Sequence, residues 1–118
     1  MRSHWITHKG KKVFYVDFAK IEIDELKEEV KFVEKELCAM PKNSALSMAD
    51  VRDSFGTNEA MEIIQRLTAK TKQHVRKRAV IGVTGVKKIL LKALNQVTGQ
   101  TSVPFDSLEE ALDWLVKD

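Results

Sequence analysis

The chain opens with two runs of β-favouring residues, "HWITH" (4–8) and "KVFYVDF" (12–18), joined by the glycine-bearing "KGK". Two such runs across a short glycine turn predict a hairpin. On the second run Phe14, Val16 and Phe18 share one face, and Val13, Tyr15 and Asp17 the other. The pattern then switches from period two to helical spacing. From Asp24, the apolar positions Leu26, Val30, Val33 and Leu37 predict an amphipathic helix ended by Pro41. Its outer face, Glu25, Lys27, Glu28, Glu29, Lys31, Glu34, Lys35 and Glu36, reads as solvated and laced with i,i+4 pairs.

"SALSMADV" (44–51) predicts a short third strand and "RDSFGTN" (52–58) a polar loop. A second helix is expected from Thr57 or Asn58, either of which can cap it, with Ala60, Ile63, Ile64, Leu67 and Thr71 facing inward and basic residues in its last turns. "AVIGV" (79–83) is apolar on both faces, as a strand covered on both sides must be. Val86, Ile89, Leu90, Ala93, Leu94 and Val97 predict a third helix closed by Gly99. "TSVPF" (101–105) predicts a fifth strand, and its Pro104 places it at an edge or a strand end. "SLEE" (107–110) is a capping box that opens a last helix through Leu108, Ala111, Leu112 and Leu115. The order ββαβαβαβα predicts an α/β fold: a five-stranded, mixed or mostly parallel sheet with four helices packed against it.

A length of 118 residues leaves room for one domain, 1–118, with one core. Apolar content of 43% and charged content of 31% describe an ordinary globular chain. No run reaches the ~20 apolar residues of a spanning helix. The N-terminus lacks the apolar section of a secretory signal. The single Cys38 has no internal disulfide partner, so a reducing, cytoplasmic setting is expected. The net charge of +3 hides a segregation. Between Ile63 and Phe105 there are nine Lys and Arg and no Asp or Glu, while acids concentrate in 22–36 and 106–118. Such asymmetry suits an anionic partner, an oriented association between copies, or neutralisation between elements of the fold, and the last is favoured. The basic stretch lacks the interleaved aromatics of single-strand binders, so specific nucleic-acid binding is not expected.

"RAVIGVTGVKKILL" (78–91) places two glycines and a lysine pair where a strand gives way to a helix. A P-loop needs glycines four residues apart, then Lys and a hydroxyl; Gly82 and Gly85 are too close, Val86 intervenes before Lys87, and no hydroxyl follows Lys88. The dinucleotide fingerprint lacks its third glycine and its acid. What remains is a candidate anion site, Thr84, Gly85, Lys87 and Lys88, with Thr84 as cap beside free helix amides; lysines pointing into solvent are the plainer reading. His4 and His8 share a strand face but lie ~13 Å apart, too far for one metal. His74 is expected near the end of the second helix, packed or at the surface. Ser54 has no local His, and Asp17 and Asp50, at strand ends where α/β folds place functional groups, show no recognisable partner. No cofactor is implied.

Taken together, "HKGKKVFYVDFA", "ADVRDSFG", "RAVIGVTGVKKILLKALNQVTG" and "PFDSLEEALDWL", in that order and spacing, resemble the small bacterial STAS-like proteins, the SpoIIAA-like group related to anti-sigma-factor antagonists. The resemblance implies a STAS-like fold and a role in binding rather than catalysis. Antagonists of this kind carry a phosphorylatable Ser in an Asp-Ser-Ser-Gly motif where the second helix begins. This chain has "RDSFGTNEA" there, and Ser54 and Thr57 are its nearest hydroxyls without a residue-for-residue match. The same group is compared with lipid-carrying CRAL-TRIO domains. That implies a second role, an apolar ligand held between helix and sheet, for which Phe14, Phe18, Met48, Met61 and Ile64 are the candidate lining unless they are simply core.

The resulting expectation is a non-enzymatic, cytoplasmic regulatory or interaction module that binds a protein partner or a second copy of itself. The 50–59 loop, with Asp50, Asp53, Ser54, Phe55 and Thr57, is the candidate contact. The alternative is a carrier or sensor of a small apolar or anionic ligand, lipid-like or phosphate-bearing.

Overall fold

The computed structural model describes residues 1–54 and 56–117. The elements run β1 (His4–His8), β2 (Lys11–Asp17), α1 (Ile23–Cys38), β3 (Ala45–Asp50), α2 (Asn58–Thr71), β4 (Val75–Ile81), α3 (Lys87–Thr98), β5 (Ser102–Phe105) and α4 (Leu108–Val116). This is the expected order ββαβαβαβα. The five strands lie side by side in chain order, β1-β2-β3-β4-β5. The hairpin pair β1–β2 is antiparallel and every later pairing is parallel, so the sheet is mixed. Each crossover steps to the next strand in one direction, and right-handed connections of that kind deliver their helices to one face. There α1 packs on α2 and α2 on α3, while α4 returns alone to the other face against β4 and β3.

Side-chain alternation divides the core accordingly. Phe14, Val16 and Phe18 join Leu26, Val33, Leu37 and Leu67 under α1 and α2. Val13, Leu46, Met48, Ala79 and Ile81 meet Ala111, Leu112 and Leu115 of α4. The caps follow the sequence: the Thr57 hydroxyl accepts from the Ala60 amide, and the Ser107 hydroxyl from the Glu110 amide. Gly99 closes α3 in the left-handed conformation. β5 is an edge strand, which leaves Pro104 no ladder bond to break.

Four expectations are corrected. β4 begins at Val75, not Ala79, and ends before Gly82, so Arg76, Lys77 and Arg78 belong to a strand and not to the basic end of α2. His74 accordingly sits in the turn before β4, where its Nδ1 lies 2.7 Å from the Met40 carbonyl. Glu29, expected in solvent on the outer face of α1, is buried and accepts from the Ser3 amide at 2.7 Å, tying the N-terminal segment to the helix. Among the described residues two ion pairs of that face, Lys27–Glu59 and Lys70–Glu34, bridge α1 and α2, and Lys31–Glu28 runs along α1 at i,i+3 spacing.

The fourth correction concerns α3. Leu94 and Thr98 are its buried residues, whereas Val86, Ile89 and Val97 are 71%, 72% and 64% exposed. Apolar residues on more than one side of this helix make the period ambiguous, and β5, short and at the edge, leaves only one side of α3 to cover. Leu94→Ala should therefore cost about 2–5 kcal/mol, and Ile89→Ala should stay within about 0.5 kcal/mol of wild type. Urea unfolding of the two variants measures the contrast.

Candidate functional site

The carboxyl ends of the parallel strands carry the first polar cluster. Asp17, Asp50 and Ile81 stand in register across β2, β3 and β4. Asp50 is 1% exposed, and its carboxylate accepts from the Tyr15 hydroxyl at 2.7 Å and from Arg52 Nη2 at 2.7 Å, with Arg52 Nε and the Arg52 amide closing a fork on Oδ1. Burial by itself would raise the Asp50 carboxyl, but the bonds from Arg52 and Tyr15 outweigh it and hold the group below the usual carboxylate range. The Tyr15 hydroxyl is pushed up to about 12, first by burial and then by the bond to Asp50 and its charge. Gly82, at φ +89°, completes the clamp, because a Cβ there would lie 2.6 Å from the Arg52 amide nitrogen. Asp17 likewise has a partner, Arg2, whose guanidinium also reaches Glu25 and the Ala19 carbonyl. Arg52 lies two residues from Asp50, whereas the Tyr15–Asp50 and Arg2–Asp17 partnerships join residues distant in sequence.

The loop residues divide by exposure. Arg52, Asp53, Gly56, Thr57 and Asn58 are exposed, Asp53 with a left-handed backbone at φ +55°. Ser54 is buried, and its hydroxyl donates to the Val51 carbonyl at 3.0 Å. Thr57 is committed to capping α2. Phe55 lies outside the described residues. At the start of α3 the amides of Lys87, Lys88 and Ile89 donate to the carbonyls of Thr84, Gly85 and Val86 at 3.1 Å each, so they are occupied and not free. Val86, not Thr84, is the cap residue, and the Lys87 ammonium donates to the Val51 carbonyl at 2.9 Å; Lys88 is exposed. His8 pairs with Asp113 at 2.7 Å, and His4 stacks on Tyr15. Among the described residues no group of three or more His, Cys, Asp or Glu is placed to hold a metal ion.

A cavity of ≈ 100 Å³ lies between the sheet and the layer of α1, α2 and α3. Val16 and Phe18 enter it from β2 and its end, Val33 and Leu37 from α1, Met61, Ile64 and Leu67 from α2, and Leu90, Leu91 and Leu94 from α3. Of the lining expected from sequence, Phe18, Met61 and Ile64 are present. Phe14 is buried in the same core without lining the cavity, and Met48 points to the α4 side. Leu46 and Met48 alternate with Ser47 and Ala49, so β3 presents its small residues to the cavity and its large ones to α4.

One side chain in that wall was not singled out by sequence reading. Arg78, in the middle of β4, is only 8% exposed. Its Nη2 donates to the Thr71 hydroxyl at 2.6 Å and the Thr68 carbonyl at 3.4 Å, in the last turn of α2. Its Nε is buried with no partner, and no carboxylate pairs with it among the described residues. Burial lowers the guanidinium to about 10. Ser47 and Ser102 flank Arg78 in register on the two neighbouring strands and also line the cavity. The signal was hidden because "RKR" reads as the cationic end of a helix until the strand start at Val75 is known.

The Tyr15–Asp50 bond has a pH signature. Asp50 is held below its unfolded value, so its contribution is present above pH ~4 and lost as pH falls further. Tyr15 is raised, so its contribution is present below pH ~10 and lost as pH climbs toward about 12. Tyr15→Phe should cost about 1.5–3 kcal/mol at pH 7, less at pH 3, and should remove the alkaline loss between these values. Urea titrations at pH 3, 7 and 11 read all three effects.

No protein-family model and no curated protein matches this chain. Among solved structures, the chain is similar to an uncharacterised protein from the DUF3478 family with a SpoIIAA-like fold, from Shewanella loihica PV-4. The match has a TM-score of 0.76 and covers 96% of this chain and 91% of that one, at 16% sequence identity. Sheet order, the three-helix face and the returning α4 are thus those of a SpoIIAA-like fold.

Proposed function

We propose that this chain works by binding rather than by catalysis, as a module of SpoIIAA-like architecture whose internal cavity carries or senses a small apolar ligand. The observation that carries this reading is the cavity itself, walled by apolar side chains from three helices and the sheet. Protein interiors are ordinarily packed as densely as organic crystals. Apolar surface left uncovered in a space of ≈ 100 Å³ is surface that an apolar occupant would remove from water. The size of this space lies below the ~300–1,000 Å³ of drug-sized pockets, which selects a ligand of a few heavy atoms or a slender chain. The lone, exposed thiol of Cys38 suits a reducing cytoplasm. No helix among the described residues is long and apolar enough to cross a membrane.

A second reading places a protein partner, or a second copy of the chain, on the exposed loop stretch Arg52, Asp53, Gly56 and Thr57 at the strand ends. Its support is the position of the loop and the rigidity that the Asp50–Arg52 clamp lends it. Sedimentation velocity of wild type and Asp53→Lys tests the self-association form of this reading.

For the cavity, native mass spectrometry of freshly purified protein should show a retained small molecule. Added 1-hexanol should raise the Tm of stripped wild-type protein and leave Leu90→Trp, whose indole occupies the space, unmoved. Absence of both a retained mass and a hexanol-dependent Tm rise would sink the ligand reading.

A further inference from the structure

We propose that the cavity ligand is a monocarboxylate with a short apolar tail, and that Arg78 is the residue that binds its carboxylate. This rests on the cavity being a ligand site and adds the chemistry of the ligand's head. Arg78 as a residue is 8% exposed, and of its guanidinium nitrogens only Nη2 is hydrogen-bonded among the described residues. Nη2 faces the end of α2, where helix carbonyls favour a cation. Nε is buried without an acceptor, and Arg78 borders the cavity. Buried polar groups are nearly always satisfied, and a buried unpaired charge is costly, so this arrangement calls for an acceptor that arrives from the cavity.

The charge and shape of the site select the head group. Arg78 is flanked by the hydroxyls of Ser47 and Ser102, neutral donors in register on both sides. Lys87 also borders the cavity, but its ammonium is bonded to the Val51 carbonyl. A guanidinium flanked by two hydroxyls matches the planar, two-oxygen geometry of a carboxylate. From that head, a tail of a few methylenes runs along Leu90, Leu91 and Leu94 of α3 and Met61 and Ile64 of α2.

The test compares hexanoate, 1-hexanol and hexyl phosphate on the full chain, by titration calorimetry and by the side-chain Nε–H resonance of Arg78 in proton–nitrogen spectra. Hexanoate should bind wild type at least tenfold tighter than hexanol and should shift the Arg78 Nε–H signal, which hexanol leaves in place. Arg78→Met should bind the two equally and keep or raise the wild-type Tm, since an apolar isostere removes an uncompensated buried charge. Equal binding of hexanoate and hexanol to wild type overturns the carboxylate assignment and leaves the apolar cavity standing. Binding of neither overturns both readings. Hexyl phosphate binding tenfold tighter than hexanoate replaces the carboxylate with a phosphate head and overturns the proposal as stated. If Arg78→Met does not fold, the wild-type Nε–H signal decides: unmoved by saturating hexanoate, it refutes the assignment.

Discussion

Every crossover in this fold steps to the adjacent strand in the same direction, and that constraint organises the rest. Right-handed connections then have no choice of face, so α1, α2 and α3 accumulate on one side in chain order. The other side of β3 and β4 would be left open to water with Leu46, Met48, Ala79 and Ile81 on it. The returning α4 covers that surface, and its buried residues Ala111, Leu112 and Leu115 are spaced to do so. The hairpin partner β1 is fixed to the same helix through His8 and Asp113. One topological rule thus creates two cores of different construction.

The difference between the two cores is what gives the molecule something to do. On the α4 side, Leu46, Met48 and Ile81 are buried against Ala111, Leu112 and Leu115. On the other side β3 contributes Ser47 and Ala49, and β4 contributes Arg78 where a hydrophobe would fill space. Small residues in the floor leave volume, and a guanidinium that spans only to the end of α2 leaves polarity. Both departures from a sealed apolar interior sit at adjacent positions of one sheet face. A core selected for stability alone would contain neither, since a buried apolar side chain in place of a buried charge is commonly neutral or stabilising.

The strand ends show the complementary strategy. There the polar groups are all answered: Asp50 by Arg52 and Tyr15, the Val51 carbonyl by Ser54 and Lys87, and the close approach of the Arg52 backbone by the missing side chain of Gly82. A glycine turn that has the look of a phosphate cradle is in fact a spacer that lets two loops touch. Satisfied networks of this kind rigidify their surroundings. The strand ends are therefore a firm platform for the loop that crosses them.

The element order, the hairpin, the cap at Ser107 and the stop at Gly99 are legible in the sequence, because each depends on neighbours within a few residues. The choice of Thr57 over Asn58, and of an edge over a strand end for β5, comes from the structure. The SpoIIAA-like resemblance is legible too, since it rests on the same order. The faces of β3 and β4 are not legible. A strand buried on both sides carries no alternation to say which residues look at which helix, and so the sequence offers Met48 to a cavity that it turns away from. The buried face of α3 was ambiguous for the same reason, with apolar residues around most of its circumference. Arg78 is the sharpest case. In sequence it is one of nine cations in a basic stretch, and only the register of β4 between Ser47 and Ser102 singles it out. Local chemistry determined the parts and their order; burial, which depends on what arrives from elsewhere in the chain, decided which of them face the cavity.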